Sequence, residues 1–164
     1  MSIKNVVVRN DAAMHFTATT GSGFPVTFDS GEGQIAPGPT EVVLAALASC
    51  SAMDVVSILS KKRQTFERYE IHVRGDQRDA YPQVFTRIDV VHELEGPAVD
   101  AVALRRSIEL SATKYCPVAA MLAAGDTAIH HAYHLIRTGD RPLDEIGEVI
   151  VTGPYRRPDV LRAR

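Results

Sequence analysis

The sequence lacks an excess of positive charge. Its 18 lysines and arginines are outnumbered by 20 aspartates and glutamates, so the formal net charge at pH 7 is −2. No net positive field is available to hold nucleic acid or an anionic membrane surface. The apolar run at residues 42–48 is far shorter than the ~20 residues that span a bilayer, and the first residues show no signal-peptide pattern. We therefore predict a cytoplasmic protein that binds neither nucleic acid nor membranes.

Cysteine is scarce as well. The two cysteines, Cys50 and Cys116, belong to no CxxC pair, which excludes zinc motifs and thioredoxin-type motifs that depend on that spacing. The sequence also contains no GxGxxG loop, Walker-type loop or HExxH motif. We predict no cofactor and no metal. In a reducing compartment the two cysteines are either buried small hydrophobic residues or a reactive couple.

The order of apolar patterns predicts an α+β fold. The length of 164 residues fits one domain, and 45% hydrophobic residues suffice for a core. A helix that begins at Pro39 is apolar nearly all round, which is typical of a buried helix. Helices that lie apart from a mainly antiparallel sheet define the α+β class. The predicted strands are 3–9, 13–19, 24–29, 66–74, 84–94 and 127–136, and the predicted helices are 39–63, 99–113 and 117–125.

The last part of the chain differs in composition. Residues 137–164 are rich in proline, glycine and arginine, and chain ends are usually loose unless they are docked. We predict a domain at residues 1–136, followed by a partly ordered extension at 137–164. Within this extension, residues 146–151 have the pattern of one further strand.

The surroundings of the two cysteines favour reactivity. Cys50 lies in the middle of the long helix between small residues, which leave room for a molecule to approach the sulfur. Cys116 precedes Pro117 at a helix start, where backbone N–H groups favour a thiolate, and Lys114 adds a positive charge nearby. A peroxide would oxidise one thiolate to a sulfenic acid, and the other thiol would condense with it to a disulfide. Two inert core thiols are the alternative.

Two segments resemble a known family. Residues 39–56, around Cys50, and residues 111–118, around Cys116, resemble the two cysteine motifs of the osmotically inducible protein C (OsmC) family, which includes the organic hydroperoxide resistance proteins. The resemblance covers roughly residues 3–136. It implies an intertwined homodimer, in which antiparallel sheets pack on long central helices. It further implies a thiol peroxidase that reduces organic hydroperoxides, sometimes with electrons from a dihydrolipoyl protein, with Cys50 as the peroxidatic and Cys116 as the resolving cysteine.

The sequence departs from the hydroperoxide resistance branch near Cys50. That branch has a glutamate ten residues before the peroxidatic cysteine, where this chain has Thr40, with Glu41 one position later. No arginine occurs between Arg9 and Arg63, although an early arginine stabilises the thiolate in that branch. Asp54 lies four residues after Cys50 on the same helix face, where its charge disfavours a thiolate. These details resemble a less characterised branch of the family.

Three functions are therefore compared. The first is a thiol-dependent peroxidase for organic hydroperoxides with a role in oxidative stress defence. The second is a non-catalytic dimer that binds a small apolar ligand or acts as a redox sensor. The third is a structural dimer with two packed thiols.

Three histidines lie close together in the strand predicted at 127–136. A strand places His130 and His134 on one face and His131 on the other. A metal site needs several ligands that converge. We therefore expect ordinary strand histidines rather than a metal site.

Overall fold

The computed structural model describes residues 3–30 and 35–153. The chain divides into two compact units, residues 1–43 and residues 44–164. Seven strands and three α-helices occur in the described residues, and one π-helical turn lies between the last two helices.

The first unit contains an antiparallel sheet of three strands in the order β1-β2-β3. The strands are β1 (Val6–Ala12), β2 (His15–Thr20) and β3 (Pro25–Phe28), which confirms the three predicted strands with shifted bounds. Ala13, in the tight turn between β1 and β2, has a positive φ of 47°. All seven residues of β1 are exposed, so this strand presents both of its faces without cover from the described residues of the chain.

The second unit contains a sheet of four strands in the order β4-β5-β6-β7. The strands are β4 (Arg68–Gln77), β5 (Phe85–Gly96), β6 (Ala128–Arg137) and β7 (Leu143–Thr152). Two of the pairings, β4 with β5 and β6 with β7, are antiparallel, whereas β5 and β6 run parallel. The sheet is thus mainly antiparallel, as predicted, with one parallel pair that joins its halves.

The long helix α1 (Pro39–Lys61) is confirmed. Both of its ends are capped by contacts with the residues that flank it. The backbone N–H of Gly38 donates to Oε2 of Glu41 at 2.8 Å, which is the backbone half of a capping box. At the other end, Arg63 has a φ of 56° and the N–H of Gln64 donates to the carbonyl of Leu59 at 3.0 Å. These are features of a Schellman motif, which satisfies the last carbonyls of a helix.

The prediction that α1 is buried on all sides is wrong for the described chain. Its buried residues form one stripe at a spacing of four: Leu47, Ser51, Val55 and Leu59. On the remaining surface Met53 is 73% exposed. The physical reason is that one sheet covers only one face of a helix. The other apolar face of α1 is therefore left exposed in the described chain.

The prediction about membrane-spanning length also needs a correction for α1. Its most apolar 18-residue window has a mean hydropathy of 2.1, so by length and composition alone the helix could cross a membrane. The expectation that every apolar stretch is too short for a bilayer is wrong in this respect. A core helix of a soluble protein has the same properties, and the buried stripe of α1 is part of the core of the second unit.

That core consists of two apolar clusters. One contains Val55 and Leu59 of α1 together with side chains from the strands and from α2 (Ala101–Leu110). The other contains Leu47 and Cys116, and Cys50 packs against it. Both cysteines therefore lie at the second cluster, next to the fully buried residues Ile88, Val90 and Ile129.

The connection from α2 to α3 (Pro117–Leu122) differs from the prediction. The sequence predicts one regular helix to residue 113, but α2 ends at Leu110 and a π-helical turn follows at Ser111–Tyr115. Such turns are rare in proteins, and those that occur are often found at functional sites.

The predicted strand within residues 146–151 is confirmed as part of β7. Val149 and Ile150 are buried there, and β7 pairs with β6 along its length, with one shift in register. The predicted extension also contains arginines at 156, 157, 162 and 164, which lie outside the described residues.

Candidate active site around Cys50 and Cys116

The structure brings the two cysteines together with Asp54. One ligand-type atom from each residue, the two Sγ atoms and a carboxylate oxygen, lies within 4.8 Å of the other two. Cys50 is partly exposed, whereas Cys116 is 3% exposed. The three residues come from α1 and from the start of α3, so the site forms only when these two segments pack.

The π-helical turn sets the position of Cys116. Its backbone N–H donates to the carbonyl of Ser111 at 3.0 Å, five residues earlier. Cys116 itself leaves helical geometry, with a ψ of 105°, and becomes the N-cap of α3, with Pro117 in the first helical position. Proline suits that position because its missing N–H would have no partner there. The π-helical turn before Cys116 and the proline after it together fix the backbone position of this cysteine.

Two donors contact the sulfur of Cys116. The backbone N–H of Ala119 donates to Sγ at 3.3 Å, and the hydroxyl of Ser51 donates to Sγ at 3.9 Å. Burial nevertheless raises the pKa of the Cys116 thiol to about 11, assisted by the neighbouring Cys50 and opposed by the two donors. The helix start does favour a thiolate, since the Ala119 N–H lowers the pKa of Cys116, but the loss of solvent outweighs this effect.

Lys114 does not supply the positive charge that the sequence suggests. Its Nζ lies over the ring of Tyr115, 5.3 Å from the ring centroid. Among the described residues, no lysine or arginine contributes to the shifted pKa of Cys116. The cysteine site thus contains acidic and thiol groups with no cationic partner for that sulfur.

Asp54 is held by a contact that connects distant parts of the chain. The hydroxyl of Ser111, which is 1% exposed, donates to Oδ2 of Asp54 at 2.9 Å. The sequence marks Asp54 by its spacing from Cys50, and Ser51 and Ser111 lie within the two cysteine motifs, but the sequence does not show which atoms these two serines contact. Their roles emerge only from the packing of α1 against the turn at residues 111–115.

Glu41 has a structural role in its own segment. Its carboxylate caps the N-terminus of α1 through Gly38. Arg9, the early arginine, is an exposed residue of β1. Both residues lie within the first unit.

The histidines of β6 divide between two faces, as predicted. His131 is buried, whereas His130 and His134 are partly exposed on the other face. His134 contacts Asp144 at 2.8 Å and Glu93 at 3.3 Å, and these carboxylates raise its pKa.

A second buried histidine lies on the neighbouring strand. The ring of His92 contacts the hydroxyl of Tyr69 at 2.7 Å through Nδ1. Burial lowers the pKa of His92 to about 3 and that of His131 to about 4. In the part of the chain that the structure describes, His92 Nε2 and both ring nitrogens of His131 have no hydrogen-bond partner. Both side chains are therefore neutral in the core.

A cavity of about 550 Å³ opens on the sheet of the second unit. It lies among β5, β6 and β7, and neither cysteine is among its described lining residues. Its wall combines apolar side chains with a few charged ones: Arg87, Asp89, Val90, Val91, His130, His131, Ala132, Glu148, Val149, Ile150 and Val151.

Comparison with known proteins identifies the family of the chain. The family described as OsmC-like protein matches residues 31–131, which include both cysteines and Asp54. The chain belongs to the OsmC-like family. It is also similar to protein YhfA of Escherichia coli (strain K12), with 38% identity over 121 residues, which cover 74% of this chain and 90% of YhfA.

Solved structures share the OsmC-like fold. A hypothetical protein from Aquifex aeolicus VF5 is 27% identical with a TM-score of 0.75, over 84% of this chain and 99% of that one. The organic hydroperoxide resistance protein OhrB of Bacillus subtilis is 14% identical with a TM-score of 0.59, over 80% of this chain and 98% of that one. At the latter identity the likeness concerns the fold alone.

Proposed function

We propose that this OsmC-like protein is a thiol-dependent peroxidase that reduces organic hydroperoxides, in the cytoplasm, as part of oxidative stress defence. The observation that carries the proposal is the approach of the two sulfur atoms, within 4.8 Å of each other. Cys50 is the partly exposed member and Cys116 the buried one. This difference supports Cys50 as the cysteine that attacks the peroxide and Cys116 as the resolving cysteine.

In the first step the Cys50 thiolate attacks one oxygen of the hydroperoxide. The O–O bond breaks, Cys50 becomes a sulfenic acid, and the alkoxide leaves as an alcohol after it takes up a proton. Cys50 packs against the apolar cluster around Leu47 and Ile88. These surroundings favour an organic hydroperoxide over hydrogen peroxide, because the organic group can be buried there.

In the second step the Cys116 thiol attacks the sulfur of the sulfenic acid. A disulfide forms and water leaves. A dithiol then reduces the disulfide, giving up two electrons and two protons and becoming a disulfide itself. We propose a small dithiol or a lipoyl-bearing protein as this reductant.

The homodimer is part of the same proposal. Met53 on α1 and the valines of β1 are largely exposed in the single chain, and large exposed apolar patches are typical of interaction sites. A second copy of the chain would cover these surfaces, as it does in the intertwined dimers that the resemblance implies.

The proposal is tested by mass spectrometry of the intact, metal-free, reduced protein after brief treatment with stoichiometric cumene hydroperoxide. We expect the loss of two hydrogens, mapped to a bridge between Cys50 and Cys116. Cys50→Ser abolishes peroxide turnover, and Cys116→Ser leaves a sulfenic acid that dimedone traps. Ser49→Ala is the matched control, because Ser49 is exposed beside Cys50 and its hydroxyl donates to the Ala45 carbonyl of its own helix. Full turnover in Cys50→Ser would contradict the proposal.

The cavity on the sheet favours a second candidate function, the binding of a small apolar ligand. Its volume of about 550 Å³ falls within the range of small-molecule sites. A host-derived molecule retained in native mass spectra, together with thiols that do not respond to peroxide, would favour this function over the peroxidase.

A further inference from the structure

We propose that Cys50, Cys116 and Asp54 bind Zn²⁺ in the reduced protein. Two thiols and a carboxylate form a donor set that zinc prefers, with sulfur and oxygen ligands from side chains. The proposal does not depend on peroxidase activity, since it needs only the reduced thiols and the carboxylate.

The distances fit a tetrahedral ion after small side-chain movements. With zinc–sulfur bonds of about 2.3 Å, two sulfurs on one tetrahedral zinc lie about 3.8 Å apart. The donor atoms of the three residues already lie within 4.8 Å of one another. Rotation about the side-chain bonds can close the difference, so the backbone of α1 and α3 need not move.

The charges also suit a cation. Binding of Zn²⁺ would displace one proton from each thiol and would place three negative ligands around a divalent ion. Among the described residues no lysine or arginine contributes to the shifted pKa of Cys116, so none of them opposes a cation at that sulfur. Zinc would thus neutralise the two thiolates and the carboxylate of this cluster.

The surroundings supply orientation and access. Ser111 donates to Oδ2 of Asp54, which fixes the carboxylate and leaves its other oxygen for the metal. Such outer contacts orient ligands in known metal sites. Cys50 is partly exposed, which gives the ion an entry path and leaves the fourth position to water.

The disulfide and the zinc-bound form of the two cysteines exclude each other. A disulfide between Cys50 and Cys116 removes both thiolates, so oxidation releases the ion. Conversely, bound zinc occupies the sulfur electrons with which Cys50 would attack a peroxide. Zinc is therefore expected to protect the thiols from hydroperoxide.

The test is a titration of the reduced, chelator-treated full chain with Zn²⁺ against a chromophoric zinc indicator, repeated with Co²⁺ as a spectroscopic probe. We expect one ion per chain and a thiolate-to-cobalt charge-transfer band. Cys50→Ser and Cys116→Ser each remove tight binding. Asp54→Asn weakens it at least ~10-fold, since even outer contacts of metal ligands contribute that much. Circular dichroism confirms that each variant is folded. If Cys116→Ser does not fold, the zinc affinities of Cys50→Ser and Asp54→Asn test the proposal.

The chain offers two controls. Asp79→Asn changes an exposed carboxylate in the β4–β5 loop and leaves the zinc affinity unchanged. His72→Ala disrupts a competing group of possible ligands, the exposed Glu70 and His72 and the partly buried Glu93, and also leaves the zinc affinity unchanged.

Three results would overturn the zinc proposal. They are absence of binding by the reduced wild-type chain, binding that survives Cys50→Ser, and a cobalt complex without a thiolate band. The peroxidase proposal fails independently, if metal-free protein forms no disulfide with cumene hydroperoxide.

Discussion

The hydroxyl of Ser111 donates to the carboxylate of Asp54 at 2.9 Å across 57 positions of sequence. This contact joins the π-helical turn after α2 to the middle of α1. The same turn carries Cys116, whose N–H bonds the carbonyl of Ser111. Ser111 therefore connects both sides of the candidate site, one through its side chain and one through its backbone.

Loss of the Ser111 hydroxyl should destabilise the protein. Ser111→Ala leaves the partly buried carboxylate of Asp54 without its donor, and such losses cost about 1–3 kcal/mol. We expect a decrease of that size in the free energy of unfolding, measured by urea denaturation. Ser49→Ala is the control, with a change of less than about 0.5 kcal/mol for an exposed site. Equal effects of the two variants would show that the contact with Asp54 contributes nothing.

Two isoleucines of β7 should differ sharply in their effect on stability. Ile150 is 7% exposed and Ile146 is 75% exposed on the same strand. Ile150→Ala should cost about 2–4 kcal/mol, because it leaves a cavity in the core, whereas Ile146→Ala should stay within about 0.5 kcal/mol. Thermal and urea unfolding measure both. If Ile150→Ala were as mild as Ile146→Ala, β7 would not be a docked strand in solution.

Local patterns predict the elements of this fold better than their pairing. Alternation in β5 and in β6 identifies both strands, but it carries no information about their parallel arrangement. The helix ends are also readable, since Pro39 and Glu41 lie where a helix start favours them. The exposed face of α1 is different: its apolar residues predict burial, but composition does not say whether the same chain or another supplies the cover.

The site is predictable only in part. The motif resemblance pairs Cys50 with Cys116, and their distance depends on tertiary packing that spacing cannot reveal. The π-helical turn leaves no sequence signal, because residues 111–115 are compatible with an ordinary helix. The unfavourable pKa of Cys116 depends on burial, which outweighs the helix-start effect that the sequence does show.

The buried histidines should make the protein sensitive to acid. Burial lowers the pKa of His92 to about 3 and that of His131 to about 4, from an ordinary value of 6.5 in the unfolded chain. Below about pH 6.5 the unfolded chain binds protons that the folded chain does not, so stability falls as the pH decreases. Each histidine lowers the free energy of unfolding by up to about 1.4 kcal/mol per pH unit. This decrease ends near pH 4 for His131 and near pH 3 for His92.

Urea denaturation at several pH values between about 7 and 5 measures this slope. His131→Leu should make the dependence shallower by about one proton, because the leucine does not titrate. His72→Ala is the control for the loss of a histidine as such, since the side chain of His72 is 61% exposed. An unchanged slope in His131→Leu would mean that His131 is protonated in the folded protein.

Met53 should report on the homodimer. It is 73% exposed in the single chain, on the apolar helix α1. A charge placed there would be buried without a partner in a dimer formed through α1, which costs several kcal/mol. Met53→Glu should therefore weaken association at least ~100-fold, since each 1.4 kcal/mol is tenfold in affinity.

Sedimentation velocity of wild type and variants over a range of concentrations measures the association, with circular dichroism to confirm folding. Ile146→Glu is the control, because Ile146 is equally exposed but lies on β7. We expect two-chain mass for the wild type and Ile146→Glu, and one-chain mass for Met53→Glu. A monomeric wild type would mean that the exposed face of α1 is not covered by a second copy, and a dimeric Met53→Glu would move the interface away from this residue.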